Sequence, residues 1–230
     1  MLLSQQDHER VRAAVEAAEA RTSGEIVCVL ARECSDYWEV PLAWAIGVAL
    51  VVPAAALVLG LRPAMIGALT GGWTAVHAAA ADAAVGQALL TYVVLQAALF
   101  VVTALVVSIR PVRRALTPTP LQRERVHRRA MEQFMSRAYH LTPGDTGVLV
   151  FASLVERQAI VIADEGVASK VGSDAWSGVV SALTAGMKAN DPARGFADAI
   201  GKAADILTVH CPRQAGDANL LPDTVIELDL

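Results

Sequence analysis

The chain has 230 residues, of which 54% are hydrophobic and 18% charged, with a formal net charge of −4. So apolar a balance argues against a wholly soluble protein, and a membrane block of about 70 residues still leaves enough for one soluble domain of ordinary size. The three cysteines, Cys28, Cys34 and Cys211, are odd in number and lack both CxxC spacing and a nearby histidine pair, which argues against a disulfide framework and for a reduced, cytosol-facing soluble part; Cys28, in an apolar run, reads as a buried thiol.

Residues 4–21 read as an amphipathic helix. Ser4 caps it, Asp7 stands in the capping-box position, and Val11, Ala14, Val15 and Ala18 share one stripe. Residues 25–31 follow as a near-continuous apolar run rich in β-branched side chains, the pattern of a strand covered on both faces. A polar connection, 32–39, leads to the membrane. The first seven residues have no basic n-region and no apolar h-region, so no cleaved signal peptide is expected and the first span serves as the insertion signal.

Residues 42–109 carry only two charged side chains, Arg62 and Asp82. Spans are predicted over 42–61 and 86–109; a helix of about 20 residues rises about 30 Å, the thickness of a hydrocarbon core. Pro53 predicts a kink in the first, and Trp38, Trp44 and Tyr92 suit interfacial positions. Between the spans, 64–81 is interrupted by Thr70, Gly71, Gly72, Thr74 and His77, and reads as a third span, a re-entrant segment or an interfacial helix. Four arginines precede the block and eight fall within 110–137, against Arg62 alone in the connection. The positive-inside rule puts both flanks in the cytoplasm. Two flanks that build one domain also require an even number of crossings, and two crossings satisfy both arguments. The arginines of 110–137 read as anchors for anionic lipid headgroups. They lack the aromatic interleaving of a nucleic-acid surface, and no nucleic-acid partner is expected.

Pro111, Pro118 and Pro120 mark 111–120 as a stiff exit from the membrane. Residues 121–139 are predicted helical, with Val126, Ala130, Met131, Phe134, Met135 and Ala138 inward. Turn chemistry over 141–147 leads to strands at 148–152 and 158–163, joined as a hairpin through 153–157. Ser173 is expected to cap a helix over 174–189, and Asp191 followed by Pro192 opens the last helix, 192–209. In order, the chain divides into 1–41, the first part of a cytoplasmic domain; 42–109, a transmembrane hairpin; 110–212, the rest of the domain; and 213–230, an acidic tail whose residues 224–228 can add an edge strand.

No Walker loop, GxSxG elbow, HExxH or CxxC pair is present. The five histidines, His8, His77, His127, His140 and His210, show no ligand spacing, and His8 and His127 read as solvated helix positions. Candidate chemistry collects at strand ends, where sites of α/β sheets form. Asp145, Glu156, Arg157 and Asp164 are the catalytic candidates, and Asp145, Asp164 and Glu165 are the oxygen ligands that suit Ca²⁺ or Mg²⁺. Equally, Asp145 and Asp164 suit turn hydrogen bonds, and Glu156 and Arg157 a surface ion pair. Trp176 reads as core or domain–membrane packing and not as a stacking platform.

The strings Thr22-Ser23-Gly24-Glu25-Ile26-Val27-Cys28-Val29, Thr146-Gly147-Val148-Leu149-Val150-Phe151, Ser153-Leu154-Val155-Glu156-Arg157 and Ile160-Val161-Ile162-Ala163-Asp164-Glu165-Gly166-Val167, with Trp176, resemble the TPM-domain family, sometimes labelled TPM phosphatases. The version with a membrane hairpin inserted after the first strand is familiar from bacterial integral membrane members. The resemblance implies an α/β/α sandwich around a mixed sheet of about four strands. It also implies two functional expectations, since some members are credited with phosphatase activity and divalent-ion binding and others act as accessory or assembly factors. The leading expectation is a multi-pass inner-membrane protein with both termini cytoplasmic, whose domain is a non-catalytic module binding another membrane protein or a second copy of itself. The alternative is a metal-assisted, phosphatase-like hydrolase.

Overall fold

The computed structural model describes residues 2–59, 79–136, 145–213 and 221–229. Two compact units are formed, one by Met1–Asp36 with Thr119–Leu230 and the other by Tyr37–Pro118.

The first unit is built on a four-stranded mixed sheet of β1 (Glu25–Ala31), β2 (Gly147–Ser153), β3 (Gln158–Ala163) and β4 (Ile226–Leu228), in the order β3-β2-β1-β4. β1 and β2 are parallel, with Ile26 opposite Val148 and Leu30 opposite Ala152. β2 and β3 form the expected antiparallel hairpin. β4 adds in parallel to the other edge of β1, with Val29 opposite Ile226. The segments before and after residues 42–109 therefore share one sheet.

Every residue of β1 and β2 is buried. The two-residue period of a strand sends their side chains to opposite faces. Ile26, Cys28, Leu30, Val148 and Val150 face a core with Val11 and Val15 of α1 (Gln5–Glu19), Leu183 of α7 (Ser177–Lys188) and Phe196, Ile200 and Leu207 of α8 (Pro192–His210). Val27, Val29, Leu149 and Phe151 face a second core with Val126, Ala130 and Phe134 of α5 (Thr119–Ser136). The result is an α/β/α sandwich. Burying a side chain such as Ile26, Leu149 or Phe151 contributes about 1.5–3 kcal/mol.

The local signals act as read in two places. Ser4 and Asp7 form a reciprocal capping box on α1, and the Asp191 side chain accepts from the Arg194 amide while Pro192 opens α8. Elsewhere the structure differs. α5 begins at Thr119, and its buried stripe is the narrow i, i+4, i+8 series Val126, Ala130 and Phe134; Met131 and Met135 are exposed. Ser173 does not cap a long helix. It opens a 3-10 turn (Ser173–Trp176) preceded by Gly172, which brings Trp176 into the core before α7 starts.

The second unit holds α2 (Glu39–Val58), α3 (Ala79–Ser108) and α4 (Arg110–Leu116). Along α2, Ala45, Ala49 and Pro53 repeat every four residues as a buried stripe, and α2 packs along α3. The remaining surface is apolar: Ile46, Leu50, Val51, Leu90, Val93, Val102 and Leu105 are exposed. Thr91 and Ser108 donate to carbonyl oxygens one turn back, Gln87 and Ala104, so their hydroxyls are satisfied without water. Glu39–Val58 and Leu89–Ser108, 20 residues each, are long and apolar enough to cross a membrane. The stiff proline exit is instead helical, for Pro111 occupies the first turn of α4, where its missing N–H is harmless. Residues 64–78, His77 among them, and Ala138, His140 and the turn at 141–144 lie outside the described residues.

Candidate functional site

The hairpin sends the sequence candidates to opposite ends of the sheet. Asp145 precedes β2 and Asp164 follows β3, and the Asp164 amide donates to the Gly147 carbonyl oxygen at 2.9 Å. Asp145, Asp164 and Glu165 therefore gather at one end, while Glu156 and Arg157 lie in the turn at the other.

At the first end, Asp145 is exposed and held at φ 53°, a left-handed conformation that Asp tolerates. Asp164 caps the short helix α6 (Glu165–Ala168), its Oδ1 accepting from the Glu165 amide at 2.8 Å, while its buried Oδ2 has no hydrogen-bond partner among the described residues. Glu165 is exposed. Among the described residues, no group of three or more His, Cys, Asp or Glu side chains is arranged to hold a metal ion.

At the second end, Glu156 is buried, which corrects the surface ion pair. Its Oε2 accepts a short hydrogen bond from the Ser153 hydroxyl, and its Oε1 accepts from the Cys34 amide at 3.1 Å. The amides of Leu154 and Val155 donate to the carbonyl oxygens of Ala31 and Arg32, both at 3.0 Å. Glu156 thus ties the hairpin turn to the segment leaving β1. Burial, and then the Glu156 charge, push the Cys34 thiol up to about 12, so it is not a nucleophile at neutral pH. Cys28 is also raised by burial, and all three thiols are free and buried. Arg157 is exposed at φ 51°.

A further acidic group was not among the sequence candidates. The Ile26 amide donates to Glu19 Oε1 at 3.1 Å, and the Leu221 amide donates to Glu25 Oε2 at 3.1 Å. Glu19 also meets the carboxyl of Asp223. Burial first, and then the charges of Glu25 and Asp223, push Glu19 up to about 8 despite the Ile26 amide. Nearby, Glu227 accepts from the Leu2 and Leu3 amides, both at 2.8 Å, and lies 3.0 Å from His8 Nε2. Burial opposes its ionisation, but those amides and His8 outweigh it and hold the carboxyl below the ordinary carboxylate range. His8 is therefore not a solvated helix position. The signal in the sequence was Glu25, an acid opening an otherwise apolar strand.

These features define an α/β protein with a mixed four-stranded sheet, carrying two apolar helices of membrane-spanning length. No protein-family model and no curated protein matches the chain. Among solved structures it is similar to the NMR structure of the BA42 protein from the psychrophilic bacterium Bizionia argentinensis, with 16% identity, a TM-score of 0.54, and coverage of 98% of this chain and 94% of that one. The likeness is one of fold.

Proposed function

We propose that the chain is a bacterial inner-membrane protein of the TPM-domain kind, with α2 and α3 as a transmembrane hairpin and both termini cytoplasmic, whose sheet domain is a non-catalytic module that binds or assists the assembly of a membrane partner. Topology is supported by the sheet itself, since β1 comes before the apolar block and β2, β3 and β4 after it. A sheet assembled from both flanks needs them on one side of the bilayer, and the arginine asymmetry selects the cytoplasm. The non-catalytic reading is carried by the separation of the candidates, because Glu156 and Arg157 stand at the opposite end of the hairpin from Asp145 and Asp164. Glu156 is moreover spent on Ser153 and the Cys34 amide. The bilayer and another membrane protein, or a second copy of this chain, are the partners this reading requires.

One observation favours a metal-assisted, phosphatase-like hydrolase as second reading: the buried Oδ2 of Asp164, without a hydrogen-bond partner among the described residues, close to Glu165 and at the same sheet end as Asp145. Ca²⁺ or Mg²⁺ would be the ion. A phosphomonoester assay with and without each ion separates the two. Activity that vanishes in Asp164→Ala, with the fold intact, defeats the module; a stable membrane partner co-purifying with an inactive protein defeats the hydrolase. A cysteine introduced beside Arg62 should label from the periplasmic side of intact cells, and labelling only after lysis refutes the two-crossing topology.

A further inference from the structure

We propose that the C-terminal segment carrying β4 is a proton-operated clasp on the edge of β1, closed while Glu19 holds a proton and released when that proton leaves. The strand itself is too short to hold its place, since it pairs with β1 over three residues whereas β2 pairs over seven. Side-chain anchors supplement it. Leu221 hangs on Glu25 by its amide, Asp223 meets Glu19, and Glu227 grips the amides of Leu2 and Leu3 and the His8 ring. Arg32 donates its amide to the Leu228 carbonyl oxygen and stands 3.6 Å from Asp229.

Three carboxyl groups thus converge from three elements: Glu19 from the end of α1, Glu25 from β1 and Asp223 from the clasp. Glu19 is the last residue of α1, where the helix dipole also disfavours a negative charge. Among the described residues, no cation pairs with its carboxyl group. Arg213 donates to its backbone carbonyl oxygen at 3.4 Å, Arg21 pairs with Asp205, and the neighbouring Cys28 thiol is buried and uncharged. The Ile26 amide is the donor that favours its ionised form. A protonated Glu19 turns its otherwise unpartnered Oε2 into a donor for Asp223. An ionised Glu19 adds a like charge beside Glu25 and Asp223, and the clasp it touches is held to the sheet by a strand of three residues.

The sign follows from linkage. Glu19 is raised from 4.5 to about 8, so its stabilisation is complete below the ordinary carboxylate value and is lost as pH rises through about 8. Glu227 is lowered, so its contribution is present at neutral pH and is lost as pH falls through its depressed value. The clasp is closed between these limits. Opening bares the backbone of β1 from Val29 to Ala31, an edge to which another strand can add.

The test is amide hydrogen exchange of the full chain in lipid nanodiscs, read at residues 225–228 against 148–152 of β2 and corrected for intrinsic exchange. One linked proton predicts that protection of the clasp falls about tenfold between pH 7 and pH 9 while β2 is unchanged. Glu19→Gln, which keeps the donor and removes the charge, and Asp223→Asn, which removes the opposing charge, should each flatten the dependence. Clasp protection that is level in the parent chain, that falls together with β2, or that falls as steeply in both variants overturns the proposal.

Discussion

Where α7 crosses α8, Gly186→Ala tests the packing at backbone level. A methyl group at Gly186 would lie 2.3 Å from the Cα of Gly195, 2.6 Å from its nitrogen and 2.9 Å from the Asp191 carbonyl oxygen. Ordinary contact is roughly 3.5–4 Å. All three obstacles are backbone, so no rotamer change relieves them and the helices must part by more than about 1 Å across a core that includes Leu183, Phe196 and Ile200. Overpacking of this kind costs about 1–3 kcal/mol and more when backbone must move, against about 1 kcal/mol gained in helix propensity. A net loss of about 3 kcal/mol is expected. Gly201→Ala is the internal control, for it lies in α8 with nothing within 4 Å of its added methyl and should gain about 0.5–1 kcal/mol. All three cysteines of the chain lie buried in the sheet unit, so maleimide pulse labelling against urea reports unfolding of that unit alone. With a slope of about 2 kcal/mol per molar urea, the Gly186→Ala midpoint should fall by about 1.5 M. A midpoint equal to the parent's, or an equal loss in Gly201→Ala, rules out a backbone clash between α7 and α8.

In the same assay Phe134→Ala should cost about 3–5 kcal/mol, because the ring fills the second core, while Met135→Ala one residue on should stay within about 0.5 kcal/mol. Glu156→Leu strands the buried Ser153 hydroxyl and Cys34 amide and should cost about 2–4 kcal/mol, with Glu156→Gln costing less since one carbonyl acceptor remains. On the acid side, protection of the Leu2 and Leu3 amides should fall as pH drops through the depressed value of Glu227, and Glu227→Gln should remove that dependence in hydrogen exchange.

How far a feature could be read depended on whether its physics is local. β1 was legible because a strand buried on both faces must be apolar throughout, and the Ser4 box and Asp191-Pro192 because caps act within four residues. Met131 and Met135 misled because a broad apolar stripe looks the same in sequence whether or not a partner covers its whole width. Glu156 looked solvated because turn residues usually are, whereas the fold sets it against Ser153 and the chain leaving β1. The meeting of Glu19, Glu25 and Asp223 joins residues that only the completed sheet brings together. β4 was readable as an option, but three residues carry too little periodicity to decide it.

The order of the strands has a consequence during synthesis. β1 leaves the ribosome early, yet its first long partner, β2, follows only after the chain from Ala31 to Gly147 has been made, which at about 5–20 residues per second takes on the order of ten seconds. For that interval seven residues destined for complete burial have no strand on either edge, and only α1 has been made to cover one of their two faces. A nascent chain of this kind is a client for a holding chaperone, and a stalled insertion of the hairpin would leave β1 as the segment most prone to aggregate.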